Sequence, residues 1–411
     1  MYSKMQICDK IDCTACGACV NVCPRQCIEL CADELDALHP FVNSDKCIEC
    51  YQCVKVCPAN SAVKYHTPKR AYAAWSRNEN TRKSSASGGV ATEIYNYVVK
   101  NGWYSVGVKF DIGKGAYFVP VQSVQDIAEV RNSKYTYSYS GYIYKQVKRQ
   151  LNDNRRVVFI ALPCQISALY NYLKQPYDNL ITVDIICHGV APTAYIEQHI
   201  GYIEKRKRRQ ADNLSFRDAN YKTNKFVLSL KDSRGYFYTA KAQSRDAYQL
   251  GYHRALNYRE NCYRCRYACP QRVADITIGD FSGLGRVEPL DFERVNVSCV
   301  LVNTDKGADF IKLLGNRIVY SERPLAEALN YEKQLQHPSV PHRNRKAFVD
   351  RYRELRNYDM AAEPLLKDDI KQIYRERFSL VRLLKKLLVL ATTKQFRRRL
   401  KTLIKGENNV K

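Results

Sequence analysis

The sequence predicts an α+β/α/β chain with three parts. These are a small cysteine-built N-terminal module, a mixed α/β region with a partly parallel sheet, and a helical C-terminal tail. Three observations carry this. A four-cysteine run occurs twice between Cys13 and Cys57. After residue 155, continuous apolar runs alternate with helical spacing, the pattern of βαβ units. Residues Ser379 to Leu390 are strongly apolar with basic interruptions. A length of 411 residues suggests two to three domains, and the composition shifts divide the chain at 1–65, 66–155, 156–345 and 346–411. A 45% hydrophobic fraction allows a sizeable core. Lys and Arg number 66 against 41 Asp and Glu, so the net charge of +25 favours acidic partners. Nucleic acid is not expected among them, because no recognised nucleic-acid module is present. With no secretory signal, 17 cysteines point to metal and redox chemistry in a reducing cytoplasm. No run of ~20 apolar residues predicts a transmembrane helix.

The N-terminal runs read Cys13-Thr-Ala-Cys16-Gly-Ala-Cys19-Val-Asn-Val-Cys23-Pro24 and Cys47-Ile-Glu-Cys50-Tyr-Gln-Cys53-Val-Lys-Val-Cys57-Pro58. Each resembles the Cys-x2-Cys-x2-Cys-x3-Cys-Pro run of bacterial two-cluster ferredoxins. Three thiolates two residues apart wrap one corner-rich cluster, and the fourth points away to the other. Cys13, Cys16, Cys19 and Cys57 are therefore expected to hold one 4Fe-4S cluster, and Cys47, Cys50, Cys53 and Cys23 a second. Gly17 is expected to let the backbone approach the sulfides. Disulfides and zinc fit two complete runs poorly. Cys8, Cys27 and Cys31 fall outside the pattern and read as ordinary buried or half-buried thiols. Six Lys/Arg face eight Asp/Glu in residues 1–65, so the basic excess lies elsewhere.

Residues His66 to Lys83 read as a polar linker that becomes ordered. Ser87-Gly88-Gly89 then feeds a helix from Val90 to Lys100, with Val90, Ile94, Tyr97 and Val98 on one face. A small-residue loop at a helix N-terminus suits a phosphate of a flavin or nucleotide, or is a plain Ser N-cap. Tyr104 to Phe110 and Tyr117 to Val121 alternate like strands around a turn at 111–115. The segment Arg131 to Lys148 is Tyr-rich, and Tyr135 beside Lys134 would either stack on a flavin ring or form an edge strand.

Two buried-strand runs follow. Arg156 to Leu162 ends in Pro163-Cys164-Gln165, and Leu180 to Ile186 ends in Cys187-His188-Gly189, with helical spacing between. Ligands bind beyond the carboxyl ends of such strands, which makes Cys164, Cys187 and His188 site candidates. His188 is the candidate proton donor and Cys187 its catalytic neighbour. Cys262-Tyr-Arg-Cys265-Arg-Tyr-Ala-Cys269 offers three ligands to either a third cluster or a zinc ion. The fourth would come from Cys164 or Cys187, with Cys164 preferred because Pro163 fixes its entry. Strands are expected near 226–240, at Asp275 to Gly279 and at Val297 to Asn303.

Several motifs now fall in one order. They are Ser-Gly-Gly at 87–89, Ser-Lys-Tyr at 133–135, Pro-Cys-Gln at 163–165, Cys-His-Gly at 187–189 and Phe-Arg-Asp at 216–218. Cys-x2-Cys-x3-Cys at 262–269, Asp-Ile-Thr-Ile-Gly-Asp at 275–280 and Asn-Thr at 303–304 complete the series. Together they resemble the β subunit family of coenzyme F420-reducing hydrogenases and dehydrogenases, over roughly 70–345. The resemblance implies an oxidoreductase that binds FAD beside a 4Fe-4S cluster and exchanges electrons with a two-electron acceptor. It implies that Ser87, Gly88, Gly89, Lys134 and Tyr135 lie near the flavin and that Cys262, Cys265 and Cys269 hold the third cluster. Ser282-Gly283 stands where the family has Trp-Gly, and a basic tail is added, so the resemblance does not carry coenzyme F420 itself as the substrate. Relatives with an added ferredoxin and such a tail are similar to proteins of surface-polysaccharide biosynthesis, which implies a sugar- or lipid-linked substrate.

Residues 380–405 hold nine Lys/Arg and no acid. A helix there would be basic and amphipathic, lying on an anionic membrane surface at its cytoplasmic face or packing on its own domain. The expected function is electron transfer from 4Fe-4S clusters through FAD to or from an organic substrate, supplied by a redox partner protein or soluble donor. The alternative is a non-catalytic electron-transfer subunit docking on a separate catalytic protein.

Overall fold

The apolar runs at 156–162 and 180–186 become neighbouring central strands in the computed structural model, which describes residues 5–220 and 226–377. In chain order the strands are β1 (Ile28–Ala32), β2 (Leu38–Val42), β3 (Arg70–Ser76), β4 (Tyr104–Asp111), β5 (Gly115–Val121), β6 (Ser138–Tyr139) and β7 (Val157–Ala161). There follow β8 (Leu180–Ile185), β9 (Asn213–Ser215), β10 (Val227–Asp232), β11 (Gly235–Lys241), β12 (Ile276–Asp280), β13 (Ser298–Val302) and β14 (Ile318–Arg323). Strands β1 and β2 form a hairpin in the cysteine module, and β9 to β11 a small antiparallel sheet. The other nine make one sheet in the order β14-β3-β13-β12-β8-β7-β4-β5-β6. Its centre, β12-β8-β7-β4, is parallel, and β13, β3 and β14 add antiparallel on one side.

The helix Pro163–Leu173 connects β7 to β8, a βαβ unit as the apolar spacing requires. Alternation along β7 divides the core. Val157, Phe159 and Ala161 face this helix, and Val158 and Ile160 face the helices Val90–Lys100 and Asp305–Leu314. Cys16, Ala18 and Val56 pack into the first of these faces, so the cysteine module is seated on the sheet through apolar contact.

Residues 70–76 differ from the expected linker. They form β3, between β13 and β14. Ala71, Ala73 and Ala74 are buried there, with Tyr72. Small side chains and the flanking Pro68, Lys69 and Arg70 hide the strand signal, and both partners lie more than 200 residues away in sequence. In the Tyr-rich segment only the edge strand β6 forms, followed by the helix Ile143–Asn152.

After residue 345 come the helices Arg345–Leu355, Tyr358–Ala362 and Lys367–Arg377. Phe348, Tyr352 and Tyr358 are buried against Tyr195, Ile196 and Ile200, so these helices belong to the core. The basic amphipathic helix expected over 379–405 lies outside the described residues. Among the described residues no helix is long and apolar enough to cross a membrane.

Candidate redox centre

Cys13, Cys16 and Cys19 come from the loop and first turn of the helix Ala18–Val22, and Cys57 from the end of the helix Gln52–Val56. The structure brings these four around one small cavity. Cys23, Cys47, Cys50 and Cys53 surround a second. Both groupings follow the crossed pattern expected from the repeat. Each cavity also has a fifth thiol: Cys8 lines the first, and Cys27 lines the second with its Sγ 3.4 Å from that of Cys23. Cys31 is exposed and lines neither.

The α/β body grips the first cysteine loop by its carbonyls. Tyr137 Oη donates to Ala15 C=O at 2.8 Å, Tyr144 Oη to Cys16 C=O at 2.8 Å, and Arg259 Nη2 to Cys13 C=O at 3.1 Å. Asn21 Nδ2 bridges Gly17 C=O and Gly141 C=O. Gly17 has φ +80°, and a Cβ there would lie 2.0 Å from Ser140 Oγ. The body packed against it leaves no room for a side chain, whereas the left-handed backbone alone does not demand glycine, since Tyr51 holds the same place in the second run at φ +56°. Replacing Tyr144 by Phe keeps the ring and strands a buried carbonyl. A loss of about 1–3 kcal/mol is expected, read as a lower anaerobic unfolding midpoint with iron content unchanged.

The third constellation lies at the carboxyl ends of β7 and β8. A cavity of about 250 Å³ is lined by Cys164, Cys187, Cys262 and Cys265, together with His188, Tyr137, Tyr267 and Arg272. Asp12, Thr14, Pro58 and Ala59 line both this cavity and the first cysteine cavity, so the two share a wall. Burial pushes the Cys164, Cys187 and Cys265 thiols up, and Cys262 to about 11. Such thiols stay neutral unless a cationic group draws off their protons. Cys269 does not line the cavity: its Sγ lies 3.4 Å from Gln271 C=O and 3.7 Å from Arg266 C=O. The structure thus places Cys164 and Cys187 at one cavity with Cys262 and Cys265, where the sequence separates them and groups Cys269 instead. Arg272, 2% exposed, pairs with the buried Asp184 at 3.0 Å and donates to Tyr267 C=O, fixing the Cys265–Cys269 loop.

Among the described residues no three His, Cys, Asp or Glu side chains converge closely enough to hold a single metal ion. The thiols stand around spaces, as the four corners of a cubane would require. Buried donors without a hydrogen-bond partner among the described residues also lie here: Arg259 Nη1 and Ser140 Oγ. Each belongs to a residue that touches the module or its seat on the body, and anionic sulfur acceptors would satisfy them. The residues present therefore fit iron–sulfur clusters.

The flavin candidates lie elsewhere. Gly88 is pressed onto the sheet: its N–H donates to Ser298 Oγ at 2.9 Å, and a Cβ would lie 2.3 Å from Ala74 C=O. Ser87 Oγ donates to Val297 C=O, and Gly89, at φ +86°, caps the helix Val90–Lys100. Lys134 Nζ donates to the carbonyls of Val130 and Arg131 at 2.8 Å each, closing the helix Val124–Val130, and burial lowers it to about 7. Tyr135 packs among Phe216, Phe226, Tyr252 and His253. The two segments are tied by Arg131 Nη1 donating to Ser84 Oγ at 2.9 Å. Beside Tyr135 the structure adds Arg217, paired with Asp280 at 2.8 Å, and His253, lowered to about 4 by burial and by His188 and Arg217. Arg217 and Asp280 sit within motifs visible in the sequence, and His253 has no sequence signal. His188 lines the 250 Å³ cavity while remaining exposed to solvent; desolvation by the residues around it lowers it, against the opposing pull of Glu332 and Asp280.

Residues 71–142 match the N-terminal part of the coenzyme F420 hydrogenase/dehydrogenase beta subunit, and residues 154–328 match its C terminus. The chain belongs to the coenzyme F420 hydrogenase/dehydrogenase beta subunit family. Residues 12–61 match a 4Fe-4S dicluster domain, so this family member has an iron–sulfur electron-transfer module of its own. No curated protein matches. Among solved structures the chain is similar to one in the xenon-derivatised F420-reducing [NiFe] hydrogenase complex from Methanosarcina barkeri. That similarity has 16% identity, covers 78% of this chain and 97% of that chain, and has a TM-score of 0.40.

Proposed function

We propose that this member of the family is an iron–sulfur flavoprotein oxidoreductase with three 4Fe-4S clusters and FAD. Two clusters are held by Cys13, Cys16, Cys19 and Cys57, and by Cys23, Cys47, Cys50 and Cys53. The third is held by Cys164, Cys187, Cys262 and Cys265, with Cys187 in the place that spacing assigns to Cys269. When bound, these groups supply single-electron transfer and its conversion to a two-electron step on an organic substrate. The observation that supports the reading is the wall shared by the first and third cavities, which sets these two proposed clusters side by side. Tyr137, Tyr144 and Arg259 hold that wall by the carbonyls of 13, 15 and 16. Ser87–Gly89 and Tyr135 are assigned to the flavin, with Lys134 acting through the loop it fixes, since its amine is spent on carbonyls. His188, at the edge of the third cavity, is assigned as the proton donor. Anaerobic reconstitution followed by iron and flavin analysis tests this. About twelve irons and one FAD per chain are expected from the cluster count, and a chain without flavin would refute the flavoprotein.

A second reading, a subunit that passes electrons to a separate catalytic protein, is favoured by the far end of the module. Cys50 is exposed there, between Ile48 at 60% and Tyr51 at 52% exposure. Turnover by the isolated chain separates the two readings. The sugar- or lipid-linked substrate and the membrane surface rest on residues 379–411. Deleting them should abolish binding to anionic liposomes at low salt and leave iron and flavin unchanged. Each Lys or Arg at such a surface contributes about 1 kcal/mol. Full-length protein that ignores the liposomes would rule the membrane role out.

A further inference from the structure

Arg259 lies between two of the proposed clusters and is bonded to the backbone of both ligand loops. Its C=O accepts from the N–H of Cys262 at 3.0 Å, at the start of the turn Glu260–Arg264. Its Nη2 donates to the C=O of Cys13 at 3.1 Å and of Leu38 at 2.9 Å, and its Nε to Asn261 Oδ1 at 3.2 Å. The guanidinium stacks near the Tyr137 ring at 5.5 Å, and Tyr137 in turn holds Ala15. The residue is 2% exposed, and Nη1 is buried without a partner. Other buried arginines have carboxylates: Arg272 has Asp184, Arg323 has Glu327, and Arg345 has Glu260. Among the described residues Arg259 has no carboxylate. A guanidinium cannot shed its charge, and a buried charge without a counter-charge is strongly unfavourable.

A cubane with four thiolates is a net anion, and it becomes more negative on reduction. We propose that Arg259 is the shared counter-cation of the first and third clusters and raises the reduction potential of both. The proposal rests on the ligand sets given above. A fixed positive charge stabilises the reduced form more than the oxidised form, and in a buried setting the interaction is little screened. The cluster of Cys23, Cys47, Cys50 and Cys53 has no contact with Arg259 and serves as the internal control.

The test uses the full chain, reconstituted anaerobically, with iron analysis and a redox titration followed by EPR. Arg259→Gln should shift two of the three couples to more negative potential and leave the third in place, with iron content unchanged. Arg259→Lys, which keeps the charge, should leave all three near their wild-type values. Three unmoved couples in a fully loaded Arg259→Gln chain would overturn the proposal, as would a shift in one couple alone. If Arg259→Gln does not load, Arg259→Lys decides: a negative shift in either neighbouring couple of the loaded protein overturns the proposal. Wild-type chain that takes up only about eight irons would instead refute the third cluster, whatever the potentials.

Discussion

Replacing Cys187 by Ser should remove about four irons from the reconstituted chain, and replacing Cys269 by Ser should remove none, on the stoichiometry of one cubane. The expectation is unusual for a Cys-x2-Cys-x3-Cys run, in which all three cysteines would ordinarily be taken as ligands. Here Cys262 and Cys265 face the cavity, and Cys269 turns away toward the carbonyls of Arg266 and Gln271. The buried Arg272 fixes that turn by donating to Tyr267 C=O and, at 3.5 Å, to Cys269 C=O. Cys164 and Cys187 arrive from the ends of two adjacent parallel strands and complete a set of four. Cys164→Ser should therefore behave as Cys187→Ser does, with loss of the third cluster's EPR signal in both. Full iron in Cys187→Ser together with loss in Cys269→Ser would restore the assignment that follows from spacing alone.

What could be read from the sequence follows the range of each interaction. The crossed cysteine sets are fixed by short spacings, and the structure gathers them as spacing requires. The β7–helix–β8 unit is local too, and its apolar runs announce it. β3 is invisible for the opposite reason: its residues are mostly Ala, and both partners come from the far end of the chain. Gly17 is legible as a glycine that matters, but its main neighbour, Ser140, cannot be found from the ferredoxin run. Lys134 is placed near the flavin by its motif, and only the structure shows that its amine closes a helix. Arg259 carries no pattern at all, because its importance comes from two loops 246 residues apart in sequence meeting at one side chain. Residues that join modules are selected by three-dimensional packing, which neither periodicity nor spacing encodes.

Replacing His199 by Gln should destabilise the fold by about 3–5 kcal/mol, the range for breaking a buried ion pair by removing one partner. His199 is 2% exposed in the helix Thr193–Lys207. Its Nδ1 lies 2.6 Å from Asp359 and its Nε2 2.9 Å from Asp246. Both nitrogens face carboxylates, so both carry protons and the ring is an imidazolium. Burial alone would lower its pKa, but Asp246 and Asp359 outweigh burial and push it up to about 10. Burial would likewise raise Asp246, and the imidazolium outweighs that and lowers it. The sign of the pH effect follows. Below about pH 6.5 the ring is protonated in both folded and unfolded chains, and the full contribution is present. Between about 6.5 and 10 the unfolded chain gives up the proton and the folded chain keeps it, so stability falls as pH rises. Above the folded value the contribution is gone. Anaerobic thermal unfolding of wild type should therefore show a falling midpoint from about pH 6.5 to 9.5, and His199→Gln should start lower and lack that part of the slope. Asp246, Asp359 and His199 join the helix Thr193–Lys207 to the start of the helix Ala247–His253 and to the helix Tyr358–Ala362. The variant should loosen this helical layer while the cysteine module keeps its iron. Equal pH slopes in the two proteins would show that the ring is neutral in the folded chain.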